Sequence, residues 1–241
     1  GLVRVSPHMT LARLHDQVLC PVLGYTRNYH GYAFRRKAEP WLGPVAGTAL
    51  DTAHLVFYMG ALGDDRAVTV GSLLSAAGES ITYVHDLGDW WSHRIEVVHG
   101  SSWQQHKKID VAELLDGEGA GPPEDCGGPA YFVYQLNRLV GAACTEKHRD
   151  DRRPIIPGSD AYWKLLNDEF RKKNCSSVVY HPRQFDHTVL SSALATALRS
   201  RHLKPDAAHT RFPLFSMSSG VAIDADTVRC ALAVEKSDGS V

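Results

Sequence analysis

The sequence predicts an α+β fold in which a mixed or antiparallel sheet with a central β-hairpin packs against several helices. Two β-prone runs, residues 81–85 and 91–98, are separated by a short segment rich in Asp and Gly, which is typical of a hairpin. From about residue 130 onward, apolar residues recur instead with helical spacing. Because strands and helices cluster along the chain rather than alternate, an α+β arrangement is favoured over a doubly wound parallel sheet.

The composition is that of an ordinary globular chain. Its 241 residues include 26 Lys and Arg and 27 Asp and Glu, for a formal net charge of −1, and 44% are hydrophobic. This near-neutral balance argues against a nucleic-acid partner. The chain shows no apolar run of about 18 residues and no secretory leader, so we expect an intracellular protein without membrane association. Five widely spaced cysteines argue against a disulfide framework or a zinc finger.

One helix opens the chain, and strands follow it. Thr10 can cap this helix, which we expect to end near Pro21. Its apolar face consists of Leu11, Leu14 and Val18. Two strands and a short helix are predicted next, at residues 29–35, 54–59 and 72–77.

In the second strand of the hairpin, apolar and polar residues alternate. One face carries Trp91, His93, Ile95 and Val97, and the other carries Ser92, Arg94 and Glu96. His93 is therefore predicted to point towards the apolar side of the sheet.

A long loop at residues 116–129 and three helices complete the pattern. Five glycines and three prolines exclude regular structure from the loop. The first helix has Pro129 in its first turn and is expected to end at Gly141. Its apolar stripe is Phe132, Leu136, Leu139 and Val140. The second begins after Ser159, with Trp163, Leu166 and Phe170 inward. The third begins after Pro182, with Phe185, Val189, Leu190, Leu194 and Leu198 inward.

The helical pattern weakens beyond Lys204. We therefore predict one domain over residues 1–204 and a C-terminal appendage over residues 205–241, which is partly disordered.

Two long motifs carry a resemblance to a known family. Residues 83–96 read YVHDLGDWWSHRIE, and residues 115–129 read LDGEGAGPPEDCGGP. In this order they resemble the plasmid pRiA4b ORF-3-like family, over about residues 10–200 of this chain. Leu87 stands where the family usually has phenylalanine, and His85 replaces a tyrosine. The resemblance implies a small α+β domain without an assigned activity, carried by plasmids and insertion elements, some of whose members bear a resolvase label.

The hairpin turn holds the first candidate site. Asp86, Asp89 and His93, with His85 beside them, could bind a divalent metal ion or act as general acid and base. The alternative is structural, because Asp86 and Asp89 can accept hydrogen bonds from turn amides and His93 can satisfy a buried partner.

The glycine-rich loop holds the second candidate site. Four acids, Asp116, Glu118, Glu124 and Asp125, would repel phosphate, and the loop has neither P-loop nor EF-hand spacing. Glu124 or Asp125 could instead cap the helix that begins near Pro129. A metal site would be strongly favoured if the hairpin and this loop met in space.

Three hypotheses about function remain at this point. The first is a non-enzymatic domain that acts through contacts with other proteins and needs no cofactor. The second is a metal-assisted hydrolase or nuclease that uses a divalent metal ion on Asp86, Asp89 and His93, with Glu124 or Asp125 as further candidate catalytic residues. The third is a nucleic-acid-associated protein of a mobile element, in which aromatic side chains such as Tyr29 and Trp90 would stack on bases.

Overall fold

The protein is represented by a computed structural model that describes most of the first 200 residues. The described ranges are 1–44, 62–99, 112–145, 159–172, 183–200, 214–215 and 222–223. The strand predicted at 54–59 lies outside these residues, as does most of the predicted appendage. The domain boundary after Lys204 therefore stays a prediction.

Strands and helices follow one another closely along the chain. The strands are β1 (Leu2–Val5), β2 (Tyr32–Arg35), β3 (Leu42–Gly43), β4 (Gly63–Asp64), β5 (Ser80–His85), β6 (Trp91–Glu96), β7 (Ala112–Asp116), β8 (Leu214–Phe215) and β9 (Ala222–Ile223). The helices are α1 (Leu11–Arg13), α2 (Cys20–Leu23), α3 (Val70–Leu73), α4 (Gly128–Thr145), α5 (Asp160–Lys172) and α6 (His187–Arg199), and a π-helical segment, Leu14–Leu19, joins α1 to α2.

The predicted hairpin forms one side of a five-stranded sheet with the order β4-β3-β2-β5-β6. Strands β5 and β6 pair antiparallel, with Tyr83 opposite His93, and β2 pairs antiparallel with the other side of β5. Strand β3 pairs antiparallel with β2 and parallel with β4. The sheet is therefore mixed, and together with the helices it confirms the α+β fold class.

The first helix begins as predicted but continues past the predicted end. The Thr10 side chain accepts a hydrogen bond from the amide of Arg13, which confirms the cap. The end near Pro21 is wrong, because the π-helical segment places Pro21 in the first turn of α2, where a residue without an N–H is tolerated. The helix ends instead at Gly24, whose φ of 81° suits glycine.

Several other boundaries differ from the sequence pattern. Strand β2 begins at Tyr32 rather than at Tyr29, which lies in a turn. The short helix spans Val70–Leu73 rather than residues 72–77. Strands β1 and β7, which were not predicted, pair antiparallel with each other.

Helices α4 and α5 begin as predicted, α6 begins at His187 rather than just after Pro182, and two further details differ. Ser159 accepts a hydrogen bond from the amide of Tyr162, and Asp186 accepts one from the amide of Val189, so both act as caps. Helix α4 passes through Gly141 to Thr145, since a glycine weakens a helix by only about 1 kcal/mol. Val189 in the first turn of α6 is 60% exposed, not inward.

The main core lies between the first helix and one face of the sheet. Leu11 and Val18 pack there against Phe34 and Tyr83, all of them fully buried, and α6 adds Leu194. A smaller cluster on Ala33, Val84 and Leu87 covers the other face. Within the described ranges, no helix is long and apolar enough to cross a membrane. The hairpin turn, anchored by buried Leu87, projects from the end of this core.

Candidate functional site

The hairpin turn presents one carboxylate oxygen of Asp86 to the interior. The backbone of Asp86 is left-handed, with φ of 55°, a conformation that Asp tolerates better than most residues. Its Oδ1 accepts hydrogen bonds from the amides of Gly88 and Asp89 at 3.0 and 3.1 Å. The turn therefore holds the carboxylate rigidly and leaves Oδ2 to face other groups.

The glycine-rich loop meets the hairpin in space. The amide of Gly127 donates to Oδ2 of Asp89 at 2.9 Å. The next residue, Gly128, packs so closely that a Cβ there would lie 2.3 Å from the carbonyl oxygen of Asp89. The two motifs that the sequence singled out separately are therefore parts of one structure.

A third segment, residues 25–31, joins them. Oε1 of Glu124 accepts a hydrogen bond from the amide of Thr26 at 2.9 Å, and Oε2 accepts one from the Thr26 hydroxyl at 2.5 Å. The Tyr29 hydroxyl donates to Oδ2 of Asp125 at 3.0 Å. Glu124 and Asp125 thus hold the segment that carries His30.

His30 completes a cluster of three potential metal ligands. Its Nε2 lies 3.5 Å from Oδ2 of Asp86 and 3.2 Å from Oδ1 of Asp125. Ligand atoms of the three residues lie within 4.8 Å of one another. The His30 Nε2 atom is buried and makes no hydrogen bond. Asp125 has the most exposed side chain of the three, at 40%, so the cluster is accessible from its side.

The candidate site that the sequence predicted omits His30. Pairing of β2 with β5 places Tyr32 opposite His85, so the chain just before Tyr32 runs alongside the hairpin turn. His30 reaches Asp86 for that reason. The only local signal was a histidine inside the strand predicted at residues 29–35, which by itself indicates no ligand.

A second imidazole lies beside this cluster. Nε2 of His85 is 3.6 Å from Oε1 of Glu124, and it too is buried without a hydrogen-bond partner. The rings of His30 and His85 are nearly perpendicular, with centroids 5.7 Å apart.

A buried set of His15, Cys20 and His85 also has the residue types of a metal site. However, the Cys20 sulfur is almost equidistant from the two ring nitrogens of His15, at 3.8 and 3.7 Å, so it is in line with the lone pair of neither nitrogen. Tyr32 stacks on the same ring, with centroids 3.4 Å apart. Burial raises the pKa of the Cys20 thiol. These contacts are those of a packed core.

His93 and Asp89, which the sequence proposed as ligands with Asp86, have other partners. Nε2 of His93 is 3.1 Å from the Tyr25 hydroxyl, and Asp89 accepts from Gly127. His93 lies on the half-buried face of β6, as the strand alternation predicts. Among the residues that the structure describes, Asp86 joins His30 and Asp125 rather than Asp89 and His93.

We expect the buried His93 to make the protein less stable in acid. Burial, together with the nearby His85, lowers the pKa of His93 from 6.5 to about 4. As the pH falls from 6.5 to about 4, His93 takes up a proton in the unfolded chain but not in the folded chain. The contribution of His93 to the free energy of unfolding is therefore fully present above pH 6.5 and declines below it. Urea denaturation at several pH values, on the wild type and on His93→Gln, measures this decline.

The decline from about pH 7.5 to about pH 4.5 should be smaller in His93→Gln by roughly 1–2 kcal/mol. Glutamine still offers a polar group to the Tyr25 hydroxyl but does not titrate. An equal decline in both proteins would contradict the assignment of this pH dependence to His93.

This chain is similar to a known protein family and to individual proteins. Residues 2–159 match the family described as Plasmid pRiA4b ORF-3-like protein, which confirms the resemblance found in the sequence. Uncharacterized protein y4hQ of Sinorhizobium fredii is 30% identical over 149 residues. That match covers 58% of this chain and 64% of y4hQ, so it spans less than two thirds of the relative.

One solved structure is also similar to this chain. It is the crystal structure of the protein of unknown function MM3350 from Methanosarcina mazei Go1. Its TM-score is 0.48 and its sequence identity is 16%, over 78% of this chain and 85% of that one.

Proposed function

Because the chain belongs to the plasmid pRiA4b ORF-3-like family, whose description names no reaction, we propose a function from the site itself: the domain binds a divalent metal ion through His30, Asp86 and Asp125 and uses it for hydrolysis. The observation that carries this proposal is the buried Nε2 of His30. It faces two carboxylates and makes no hydrogen bond with either.

The distances around His30 suit shared coordination. Ligand atoms about 2.1 Å from one ion, at angles between octahedral and tetrahedral, lie about 3.0–3.4 Å from each other. The separations of 3.5 and 3.2 Å from His30 to Asp86 and Asp125 are close to these values. A cation would supply the partner that this nitrogen lacks and offset the charge of both carboxylates.

The surroundings of the carboxylates also support a metal site. Ligating carboxylates are usually fixed by hydrogen bonds from a second layer of groups. Two backbone amides fix Oδ1 of Asp86, and the Tyr29 hydroxyl fixes Oδ2 of Asp125, in each case on the oxygen that does not face His30. The oxygens that face His30 are those that would bind the ion.

One imidazole and two carboxylates suit Zn²⁺, Mn²⁺ or Fe²⁺. Three protein ligands leave coordination positions for water, which is the arrangement of catalytic rather than structural sites. A bound ion lowers the pKa of such a water and so generates a nucleophile at neutral pH. The accessible side at Asp125 is where a substrate would approach.

We expect added metal ions to raise the thermal stability of protein from which metal has been removed. The experiment is a thermal melt of chelator-treated protein with added Mn²⁺, Zn²⁺, Mg²⁺ or Ca²⁺, with bound metal measured by mass spectrometry after dialysis. An ion that binds only the folded state raises stability by about 2.7 kcal/mol at a hundred times its dissociation constant. His30→Ala and Asp86→Asn should abolish this gain.

Two control variants test whether the loss is specific. His8 is exposed and lies outside the cluster, so His8→Ala should bind metal normally. Asp64, like Asp86, accepts a hydrogen bond from an amide two residues later, so Asp64→Asn tests the turn without the site. The proposal fails if the wild type binds no ion, or if His30→Ala folds and binds as tightly as the wild type.

Protein contacts remain a second candidate function, supported by exposed apolar residues. Val133 and Tyr134 on α4 are 52% and 57% exposed, and Leu115 at the end of β7 is 38% exposed. Apolar residues exposed next to one another on a helix are typical of contact surfaces. Light scattering and crosslinking of the wild type and of Tyr134→Ser would test this candidate, and unchanged association behaviour would count against it.

A further inference from the structure

A second imidazole whose Nε2 has no hydrogen-bond partner, that of His85, lies beside the proposed metal site. Its side chain is 1% exposed, and Nε2 faces Oε1 of Glu124 at 3.6 Å. The Tyr25 ring stacks on it with centroids 3.9 Å apart and an angle of 21°. Because His85 is followed by Asp86 and Glu124 by Asp125, this imidazole–carboxylate pair runs next to the one formed by His30.

The Tyr83 hydroxyl determines which nitrogen of His85 carries the proton. It lies 2.9 Å from Nδ1 of His15 and 3.3 Å from Nδ1 of His85, and it has a single proton to donate. We assign the Tyr83 proton to the shorter contact, with His15, and the tautomer spectra described below test this assignment. Nδ1 of His85 then donates to the Tyr83 oxygen, and its Nε2 is left without a hydrogen.

An unprotonated Nε2 that faces a carboxylate brings two acceptors together. No hydrogen bond can form between them, and the site is closed to water on the His85 side, because the Nε2 atom is buried. A cation between the two atoms would satisfy both. Ligand atoms at about 2.1 Å from one ion and at the tetrahedral angle lie about 3.4 Å apart, near the observed separation.

We propose that His85 and Glu124 hold a second divalent cation next to the one on His30, Asp86 and Asp125, so that the domain contains a two-ion centre. Paired ions can stabilise both the attacking and the leaving oxygen of a displacement. The inference rests on the proposed metal-binding function and deepens it. Oε1 of Glu124 keeps a lone pair for the ion while it accepts from the Thr26 amide.

The experiment counts bound ions in the full chain. Metal-free wild type is dialysed against Mn²⁺, and in parallel against Zn²⁺, and metal per chain is measured by mass spectrometry. We expect two ions per chain in the wild type and one in Glu124→Gln. A glutamine that accepts from the Thr26 hydroxyl turns its amide nitrogen towards Nε2 of His85, where it supplies a proton in place of the cation and gives up the bond from the Thr26 amide. Asp64→Asn is the matched control and should keep two ions.

A second measurement does not depend on a variant. Long-range ¹H–¹⁵N spectra of the metal-free protein report the tautomer of His85, and we expect the hydrogen on Nδ1. A hydrogen on Nε2, or on both nitrogens, would overturn the second position because Glu124 would then face a donor.

The outcomes separate the two proposals. One ion per chain in the wild type, lost in His30→Ala and kept in Glu124→Gln, would overturn the second position and leave the first intact. No bound ion would overturn both. Two ions in the wild type and two in folded Glu124→Gln would also overturn the assignment to Glu124.

Discussion

Replacing Arg27 with methionine is expected to lower the free energy of unfolding by about 3 kcal/mol. The Arg27 guanidinium makes two hydrogen bonds to Asp16, from Nε to Oδ1 at 2.8 Å and from Nη2 to Oδ2 at 2.5 Å. Asp16 is 1% exposed, so the variant leaves a buried carboxylate without its charged partner. Hydrogen bonding to Asp16 raises the pKa of Arg27.

The same change should weaken the proposed metal site. Arg27 lies in the segment that carries His30, and its Nη2 also donates to the Ser200 hydroxyl at the end of α6. Loss of these contacts frees that segment from the core. Urea denaturation measures the stability change, and metal titration of the folded fraction measures the effect on the site.

An exposed ion pair serves as the control. Arg66 also contacts its carboxylate partner, Asp64, through two nitrogens, at 3.0 and 3.1 Å, but their side chains are 50% and 36% exposed. Arg66→Met should change stability by less than about 1 kcal/mol. Equal effects of Arg27→Met and Arg66→Met would show that burial of Asp16 adds nothing to the stability lost with the ion pair.

Replacing Gly128 with alanine should both destabilise the protein and disrupt the site. The φ of Gly128 is +76°, and a Cβ would lie 2.3 Å from the carbonyl oxygen of Asp89. Both the left-handed backbone and the clash oppose alanine, so we expect a loss of about 3 kcal/mol or more. The hairpin and the loop would be pushed apart, and Asp125 would move away from His30 and Asp86.

The variant Gly24→Ala separates the cost of the left-handed backbone from the cost of the clash. The φ of Gly24 is +81°, yet no atom lies within 4 Å of the position that a Cβ would take, so Gly24→Ala carries only the backbone cost of about 1 kcal/mol. Chemical denaturation of both variants and metal titration of Gly128→Ala provide the comparison. If Gly128→Ala were no worse than Gly24→Ala, close packing of the loop on the hairpin would not hold the two motifs together.

Much of the local structure could be predicted because it depends on neighbouring residues. The cap at Thr10, the hairpin turn after His85 and the start of α5 at Ser159 arise from interactions within a few residues of each position. Errors arose where tertiary packing overrides local preference. Helix α2 continues past Pro21 because of the π-helical segment before it, and α4 continues past Gly141.

The candidate site, too, could be predicted only in part from the sequence. Asp86, Asp89, Glu124 and Asp125 were identified from the sequence because acids in glycine-rich turns are conspicuous there. Which acid faces His30 and which binds a backbone amide depends on atoms of residues far apart in the chain. His30 was missed for this reason, and His93 was placed correctly on its strand face but has Tyr25 as its partner.

The amino-acid order alone therefore determines the α+β class, the hairpin and the acidic character of the two motifs, since periodicity and turn chemistry are local. Three-dimensional packing alone brings residues 25–31 between the hairpin and the loop. The pairing of β2 with β5 and the close approach of Gly128 to Asp89 produce that arrangement. A cluster of ligand atoms within a few ångströms of each other is a property of such long-range contacts, and no pattern along the chain encodes it visibly.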